Sequence, residues 1–210
     1  VIKILIADDH PIVREGLKRI FAQEPHMDVT IEARNGREVL DAVESEDLDI
    51  ILLDINMPGP SWLEVLKEVK SRKPALPVIM LSMHQEEEYI VRALKKGASG
   101  YLTKESVMDE LIQAVRKVTK GGKYVSAVVA EKLVDYIDTD TEAPLHRALS
   151  DREYEVMCLL ARGKKTQDIA KELFLSPNTV STYRARILEK MNMNNIAEIV
   201  QYAVKNNLID

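Results

Sequence analysis

The chain has 210 residues, 46% of them hydrophobic and 30% charged, enough apolar material for a packed core and too much for a disordered chain. The length fits one large domain or two small ones, and a net charge of −5 argues, taken whole, against a nucleic-acid binder. The lone Cys158 excludes an internal disulfide framework, and four scattered histidines leave little for a structural zinc site.

The total charge hides an asymmetry. Residues 1–146 carry 19 Lys+Arg against 26 Asp+Glu, net −7, whereas residues 147–210 carry 10 against 8, net +2. That difference suggests two domains with different partners. The longest apolar run, residues 156–161, is far shorter than the ~20 residues of a membrane span. No basic stretch followed by an apolar one opens the chain. A soluble, cytoplasmic protein is expected, and Val1 in place of an initiator Met suggests that a little of the start is missing.

In chain order, short apolar runs at 4–7, 50–53, 78–81 and the shorter 101–102 read as strands buried on both faces of a parallel sheet, with Val29, Ile31 and Ala33 adding a weaker alternating one. Helical spacing fills the gaps: Ile12, Leu17, Ile20 and Phe21; Val39, Leu40 and Val43; Trp62, Val65, Leu66 and Val69; Ile90, Val91 and Leu94; Leu111, Ile112, Val115 and Val118. Five β-α repeats predict a doubly wound α/β domain with a parallel five-stranded sheet, closing near Gly121-Gly122 and occupying residues 1–122.

A further helix over 126–137 and a polar, acidic run at 138–144 make a linker segment, 123–146. The remainder, 147–210, reads as an all-α domain of four helices. Ser150 and Glu153 form a capping box before the first, and Gly163 ends it. Thr166 can cap a second over 169–173. Ser176-Pro177 opens a third, and residues 196–204 form a fourth.

Chemistry-bearing residues gather beyond the carboxyl ends of the strands, where open parallel sheets place their sites. Asp8 and Asp9 follow the first strand, Asp54 closes the third, Ser82 closes the fourth and Lys104 follows the fifth. Each Asp taken singly reads as a helix cap. Together, three converging carboxylates would repel unless a hard cation such as Mg²⁺ joined them. Lys104 adds a second positive point, and the set suits phosphoryl transfer.

Ile4-Leu-Ile-Ala-Asp-Asp-His-Pro11, Leu53-Asp-Ile-Asn-Met-Pro-Gly59, Met80-Leu-Ser82 and Gly100-Tyr-Leu-Thr-Lys104 resemble the signatures of a two-component response-regulator receiver. With the helical tail, nearly the whole chain resembles the NarL/FixJ (LuxR-type helix-turn-helix) family. The resemblance implies that Asp54 accepts phosphoryl from a sensor histidine kinase. Asp9, Asp54 and the Asn56 backbone carbonyl would hold Mg²⁺, with Asp8 behind, chiefly through water. Lys104 would pair with the phosphoryl group, Ser82 would swing toward it, and Tyr101 would follow inward. The family usually has Gly where this chain has Trp62. That departure leaves two outcomes open: an adjusted loop with Trp62 as a surface anchor, or altered kinase choice and even a receiver that needs no phosphate.

In the tail, Val180, Ile187 and Met191 mark one core-facing stripe of the helix from Pro177. Its other face shows Asn178, Thr179, Ser181, Thr182, Ala185 and Arg186; Arg184, Arg186 and Lys190 supply the charge, and Lys164-Lys165, beside Thr166, adds more at the preceding turn. A solvated helix would look similar. Leu149-Ser-Asp-Arg-Glu153, Ile169-Ala170 and Asn178-Thr-Val180 resemble the LuxR-type domain, which implies double-stranded DNA as partner and Ser181, Thr182 and Ala185 facing bases. Many relatives have Lys at the first and third of these and His where Tyr183 stands. Losing two cations should weaken the electrostatic share of binding. A homodimer formed on phosphorylation and reading paired half-sites is therefore expected. An aspartate-nucleophile phosphatase is the rival from the enzyme class. It would want Asp-x-Asp after the first strand, where this chain has contiguous Asp8-Asp9, and has no use for a helix-turn-helix. The expectation is a regulator and not an enzyme.

Overall fold

The computed structural model describes residues 1–83, 87–105, 107–138 and 144–209, which divide into two compact units, 1–136 and 137–210. The first alternates strand and helix throughout: β1 (Ile2–Ala7), α1 (Pro11–Phe21), β2 (Met27–Ala33), α2 (Gly36–Ser45), β3 (Ile50–Asp54), α3 (Trp62–Arg72), β4 (Val78–Ser82), α4 (Glu87–Lys95), β5 (Gly100–Thr103) and α5 (Val107–Val118). Every residue of β3, β4 and β5 is buried, as expected where helices cover both faces of a parallel sheet. Ile4, Ile6, Ile50, Leu52, Ile79, Leu81 and Leu102 share one core cluster with Leu17, Phe21, Leu111 and Val115. Each such side chain contributes about 1.5–3 kcal/mol by leaving water.

The sheet has six strands, not five, in the order β2-β1-β3-β4-β5-β6, where β6 is Tyr124–Val125. Gly121, at φ +87°, turns the chain after α5, and Tyr124 then comes opposite Gly100. A Cβ on Gly100 would stand 2.9 Å from the Tyr124 carbonyl oxygen, so the close approach requires glycine there. Two residues are too few to show a period, which is why the expected domain stopped at the Gly pair.

A second correction concerns α1. Ile12, expected on its core stripe, is 83% exposed. Pro11 starts the helix, and the buried positions that follow are Arg14, Leu17 and Phe21, a spacing that leaves Ile12 on the outer side.

Helix α6 (Ala127–Asp138) runs across the division between the units. Most of the polar run expected as a linker, residues 139–143, lies outside the described residues. The second unit continues with a 3₁₀ turn, Leu145–Ala148, and then α7 (Asp151–Ala161), α8 (Thr166–Glu172), α9 (Pro177–Lys190) and α10 (Ile196–Lys205). The Ser150–Glu153 capping box forms, and Gly163 leaves α7 at φ +78°. Residues 156–161 are all buried, because α7 packs against α8, α9 and α10. Val180, Ile187 and Met191 turn inward as their spacing predicts. Thr166 is not a cap. It is the first residue of α8, and Lys165 takes the cap position with no side-chain bond.

Glu153 joins two elements of this unit. Its Oε2 accepts from the Ser150 amide at 2.7 Å and from Lys190 Nζ at 2.6 Å. Burial alone would raise its pKa, but the bonds from Lys190 and Ser150 outweigh it and hold the carboxyl below its ordinary value. A group lowered on folding stabilises above its unfolded pKa and stops doing so as pH falls through the folded one. Glu153→Gln is expected to cost about 1–2 kcal/mol at neutral pH. The difference from wild type should shrink as pH falls below about 4.3, read by urea unfolding followed by far-UV circular dichroism.

Candidate functional site

The strand order and register bring the loaded ends together. Asp8 and Asp9 lie just past β1, Asp54 ends β3, Ser82 ends β4 and Lys104 lies just past β5. Asp8, Asp54 and Ser82 are fully buried. Lys104 Nζ stands 2.7 Å from Asp8 Oδ2 and 2.9 Å from Asp54 Oδ2, bridging the two carboxylates. Burial pushes the Asp54 carboxyl up; Lys104 and the Asn56 amide pull down without overcoming it. Burial works the other way on Lys104, yet the two carboxylates hold its ammonium above the ordinary lysine value.

Asp9 sits at the rim with His10. The His10 Nδ1 lies 2.8 Å from Asp9 Oδ1 and 3.2 Å from Asp8 Oδ1. One ligand atom from each of Asp8, Asp9, His10 and Asp54 falls within 4.8 Å of the others. An all-oxygen subset of that cluster is the donor chemistry of Mg²⁺.

Tyr101, within β5, is fully buried. Sequence reasoning missed Arg14. This buried guanidinium donates from Nη1 to the Asp8 carbonyl at 2.8 Å and from Nε to Glu32 Oε2 at 2.8 Å, pinning the backbone that carries the acidic pair. An arginine in a helical stretch reads as a solvated charge. The one available signal was its phase, three residues before Leu17 on the core stripe.

Trp62 is likewise not a surface anchor. It is the first residue of α3, 4% exposed, and its ring centre lies 6.0 Å from that of Tyr89 on α4. The loop takes its positive φ at Gly59, +103°, and not at Trp62. Ser61 caps α3 in a capping box with Glu64. Position 62 is helical and so makes no demand for the conformational freedom of glycine.

In the second unit, α8 and α9 are joined by a turn with Phe174 at φ +54°, steadied by Arg152 Nη2 donating to the Leu173 carbonyl at 2.8 Å. Asn178, Ser181, Thr182, Ala185 and Arg186 share the exposed side of α9, with Thr179 half-buried beside them. Lys165 is exposed and Thr166 half-buried at the start of α8. The Ser181 and Thr182 hydroxyls each donate to a carbonyl four residues back, at 3.0 Å. Lys190 differs from the rest, since its ammonium is committed to Glu153.

Known families agree with both halves of this arrangement. The response regulator receiver domain matches residues 4–116, and the bacterial regulatory proteins of the luxR family match residues 147–203. The chain belongs to the response regulators that join a receiver to a LuxR-type DNA-binding domain, the NarL/FixJ type. It is 36% identical to the transcriptional regulatory protein DegU of Brevibacillus brevis, over 98% of this chain and 94% of that one. It is 34% identical to the oxygen regulatory protein NreC of Staphylococcus carnosus, over 99% of both. Among solved structures, the RcsB response regulator of Salmonella typhimurium superposes with TM-score 0.74 at 25% identity, over 98% of both chains. RcsB of Salmonella enterica serovar Typhimurium bound to promoter P1flhDC in the presence of the phosphomimetic BeF₃⁻ gives TM-score 0.63 at 26% identity, over 96% of this chain and 97% of that one.

Trp62→Ala tests the loop packing. Removing a buried aromatic of this kind is expected to cost about 3–5 kcal/mol, read as a lowered urea midpoint by far-UV circular dichroism with an unchanged slope.

Proposed function

We propose that the chain is a phosphorylation-switched transcriptional regulator in which Asp54 takes a phosphoryl group from a sensor histidine kinase. One Asp54 oxygen attacks phosphorus, a P–O bond forms, and the P–N bond to the kinase histidine breaks. The observation that carries this reading is Lys104 bridging two fully buried carboxylates at one end of the sheet. Burial keeps Asp54 out of bulk water, and Lys104 supplies a cation beside the oxygen that gains charge. Asp9, Asp54 and the Asn56 carbonyl are the groups that would hold Mg²⁺, with Asp8 acting chiefly through water. The bound ion supplies charge neutralisation on the transferring oxygens.

The new charge of nearly two units sits where Lys104 now binds carboxylates. Lys104 then turns from Asp8 toward the phosphoryl group, and the Ser82 hydroxyl donates to it. The readout is double-stranded DNA, met by Ser181, Thr182 and Ala185 at base edges. Asn178, Thr179, Arg186, Lys165 and Thr166 meet the backbone, with Lys190 at the edge of that surface. RcsB has been solved as dimers bound to DNA; for this chain we propose the same economy, a homodimer on paired half-sites inside the cytoplasm. Among the described residues no helix is long and apolar enough to cross a membrane. Helical backbone at Trp62 supports the reading of an ordinary phosphoryl-accepting loop over that of a receiver that needs no phosphate. Any hydrolysis of phospho-Asp54 acts as a timer on the switch and not as turnover of an external substrate.

Incubation with a small-molecule phosphoryl donor and Mg²⁺ is expected to give an acid-labile mass increment of one phosphoryl group, abolished in Asp54→Asn. Absence of that increment in the wild type would refute the reading. Arg186→Ala is expected to lower the slope of log affinity against log salt by about one. Thr182→Ala should weaken one operator relative to others, measured by fluorescence anisotropy across a salt series. Unchanged binding in both variants would misplace the α9 contact surface.

A further inference from the structure

Ser181 and Thr182 stand exposed on α9, but their hydroxyl protons are already in use. Ser181 Oγ donates to the Pro177 carbonyl and Thr182 Oγ1 to the Asn178 carbonyl, each at 3.0 Å. Both acceptors lie in the first turn of α9, which Ser176 caps by accepting from the Thr179 amide at 3.0 Å. A hydroxyl has one proton and two lone pairs. With the proton held by the helix, each oxygen meets a partner as an acceptor only. To donate elsewhere it must first give up a bond equivalent to about twofold to tenfold in affinity. The remaining groups on this side are methyls. Thr182 carries one at Cγ2, and Ala185, three residues on and exposed beside it, offers only its own.

Base edges in the major groove differ in these same properties. Guanine shows two acceptors there, cytosine an amino donor, adenine an amino donor beside an acceptor, and thymine an acceptor and a methyl group. The usual partner of guanine is a pair of donors from Arg or Lys, and none of Ser181, Thr182 and Ala185 is either. An acceptor-only hydroxyl meets guanine lone pair against lone pair. An A·T pair answers both kinds of group at once, with the adenine amine for the hydroxyl oxygens and the thymine methyl for the methyls of Thr182 and Ala185. A G·C pair has the amine and lacks the methyl. We infer that Ser181, Thr182 and Ala185 make α9 a reader of A·T pairs in the major groove, recognising thymine through its methyl group and disfavouring guanine at the steps they face. The inference rests on the placement of these three residues at base edges proposed above.

The test uses the full chain with Mg²⁺ and a small-molecule phosphoryl donor, and selects bound sequences from a randomised duplex library. Single thymines of the selected site are then replaced by uracil, which removes only the methyl group, and affinity is measured by fluorescence anisotropy. At the steps facing Thr182 and Ala185 the replacement is expected to weaken binding about threefold. In Thr182→Ser, which keeps the hydroxyl, one of those positions should bind the thymine and uracil duplexes equally. Ala185→Lys supplies a donor in place of a methyl, and is expected to move the selected base at its step to guanine and to steepen the salt slope by about one. Far-UV circular dichroism confirms that the variants fold, and the uracil series changes only the DNA. Selected half-sites made of G·C pairs, or a uracil series that is flat along the whole site, overturn the inference and leave α9 standing as a DNA-reading helix. Uracil sensitivity that Thr182→Ser leaves intact at every position belongs to DNA shape and overturns it too. If the wild type selects no sequence from the library, the placement of α9 at base edges and the inference fall together.

Discussion

Two carboxylates with no exposure to solvent share one ammonium, and the rest of the receiver is arranged around that imbalance. Taking an ionised carboxylate out of water costs several kcal/mol even after relaxation. Lys104, at 2.7 and 2.9 Å from Asp8 and Asp54, offsets that for one charge and leaves the other. The half-exposed Asp9 deepens the deficit. A pocket in that condition holds a standing demand for further positive charge, which is a binding specificity before it is anything else. It also makes Lys104 the pivot, because whatever neutralises Asp8 by another route frees the ammonium to follow new negative charge.

That pivot is tied to the fold through β5. Lys104 directly follows a strand whose four residues are all buried, and its amide donates to the Ser82 carbonyl at 2.8 Å. Ser82 and Lys104 are thus fixed to each other by backbone, so a shift of one is felt by the other. On the opposite side of Asp54, the loop runs through Gly59 into α3, where Trp62 rests on Tyr89 of α4. The loop after Asp54 therefore has its own packed connection to α4, separate from the β4–β5 pair. Close-packed aromatic contacts pass displacement on instead of absorbing it, which gives a buried Trp62 more consequence than a surface one would have.

The parts of this arrangement that could be read without coordinates are those with short-range physical signatures. Apolar runs of four residues announced the central strands, and polar residues at successive strand ends announced the pocket, since chain order alone places them. Ser150-Glu153 and Ser176-Pro177 announced helix starts because capping is local chemistry. What stayed hidden depends on distant partners or on single angles. β6 is two residues long and exists because Gly100 admits the Tyr124 carbonyl. Arg14 belongs to the core only because Glu32 and the Asp8 carbonyl receive it. Trp62 read as a surface anchor on an adjusted loop because the family's glycine suggested an open loop there, whereas the left-handed angle falls at Gly59 and position 62 is helical. Thr166 has the chemistry of a cap and the wrong register for it.

The charge division between the units changes meaning once partners are assigned. The excess of acid over 1–146 is concentrated in function at the pocket, where three carboxylates are set against one lysine. In the helical unit the pairs Lys190–Glu153 and Arg152–Glu155 cancel charge of both signs and leave the surplus of two unchanged, but they commit two of its cations, with Arg152 also donating to the Leu173 carbonyl. Those pairs hold α7 to α9 and to the turn before it, so part of the unit's positive charge is structural. The exposed side of α9 is left with small polar groups and Arg186. A surface of that kind discriminates by close approach more than it attracts by charge, since each phosphate contact missing from the set removes a share of counterion release. Joining two such surfaces raises the effective concentration of the second at its half-site without adding a contact. A weakly charged reader gains more from that than a strongly charged one, because counterion release contributes less to its single-copy affinity. The proposed homodimer would supply by pairing what the sparse charge on α9 withholds.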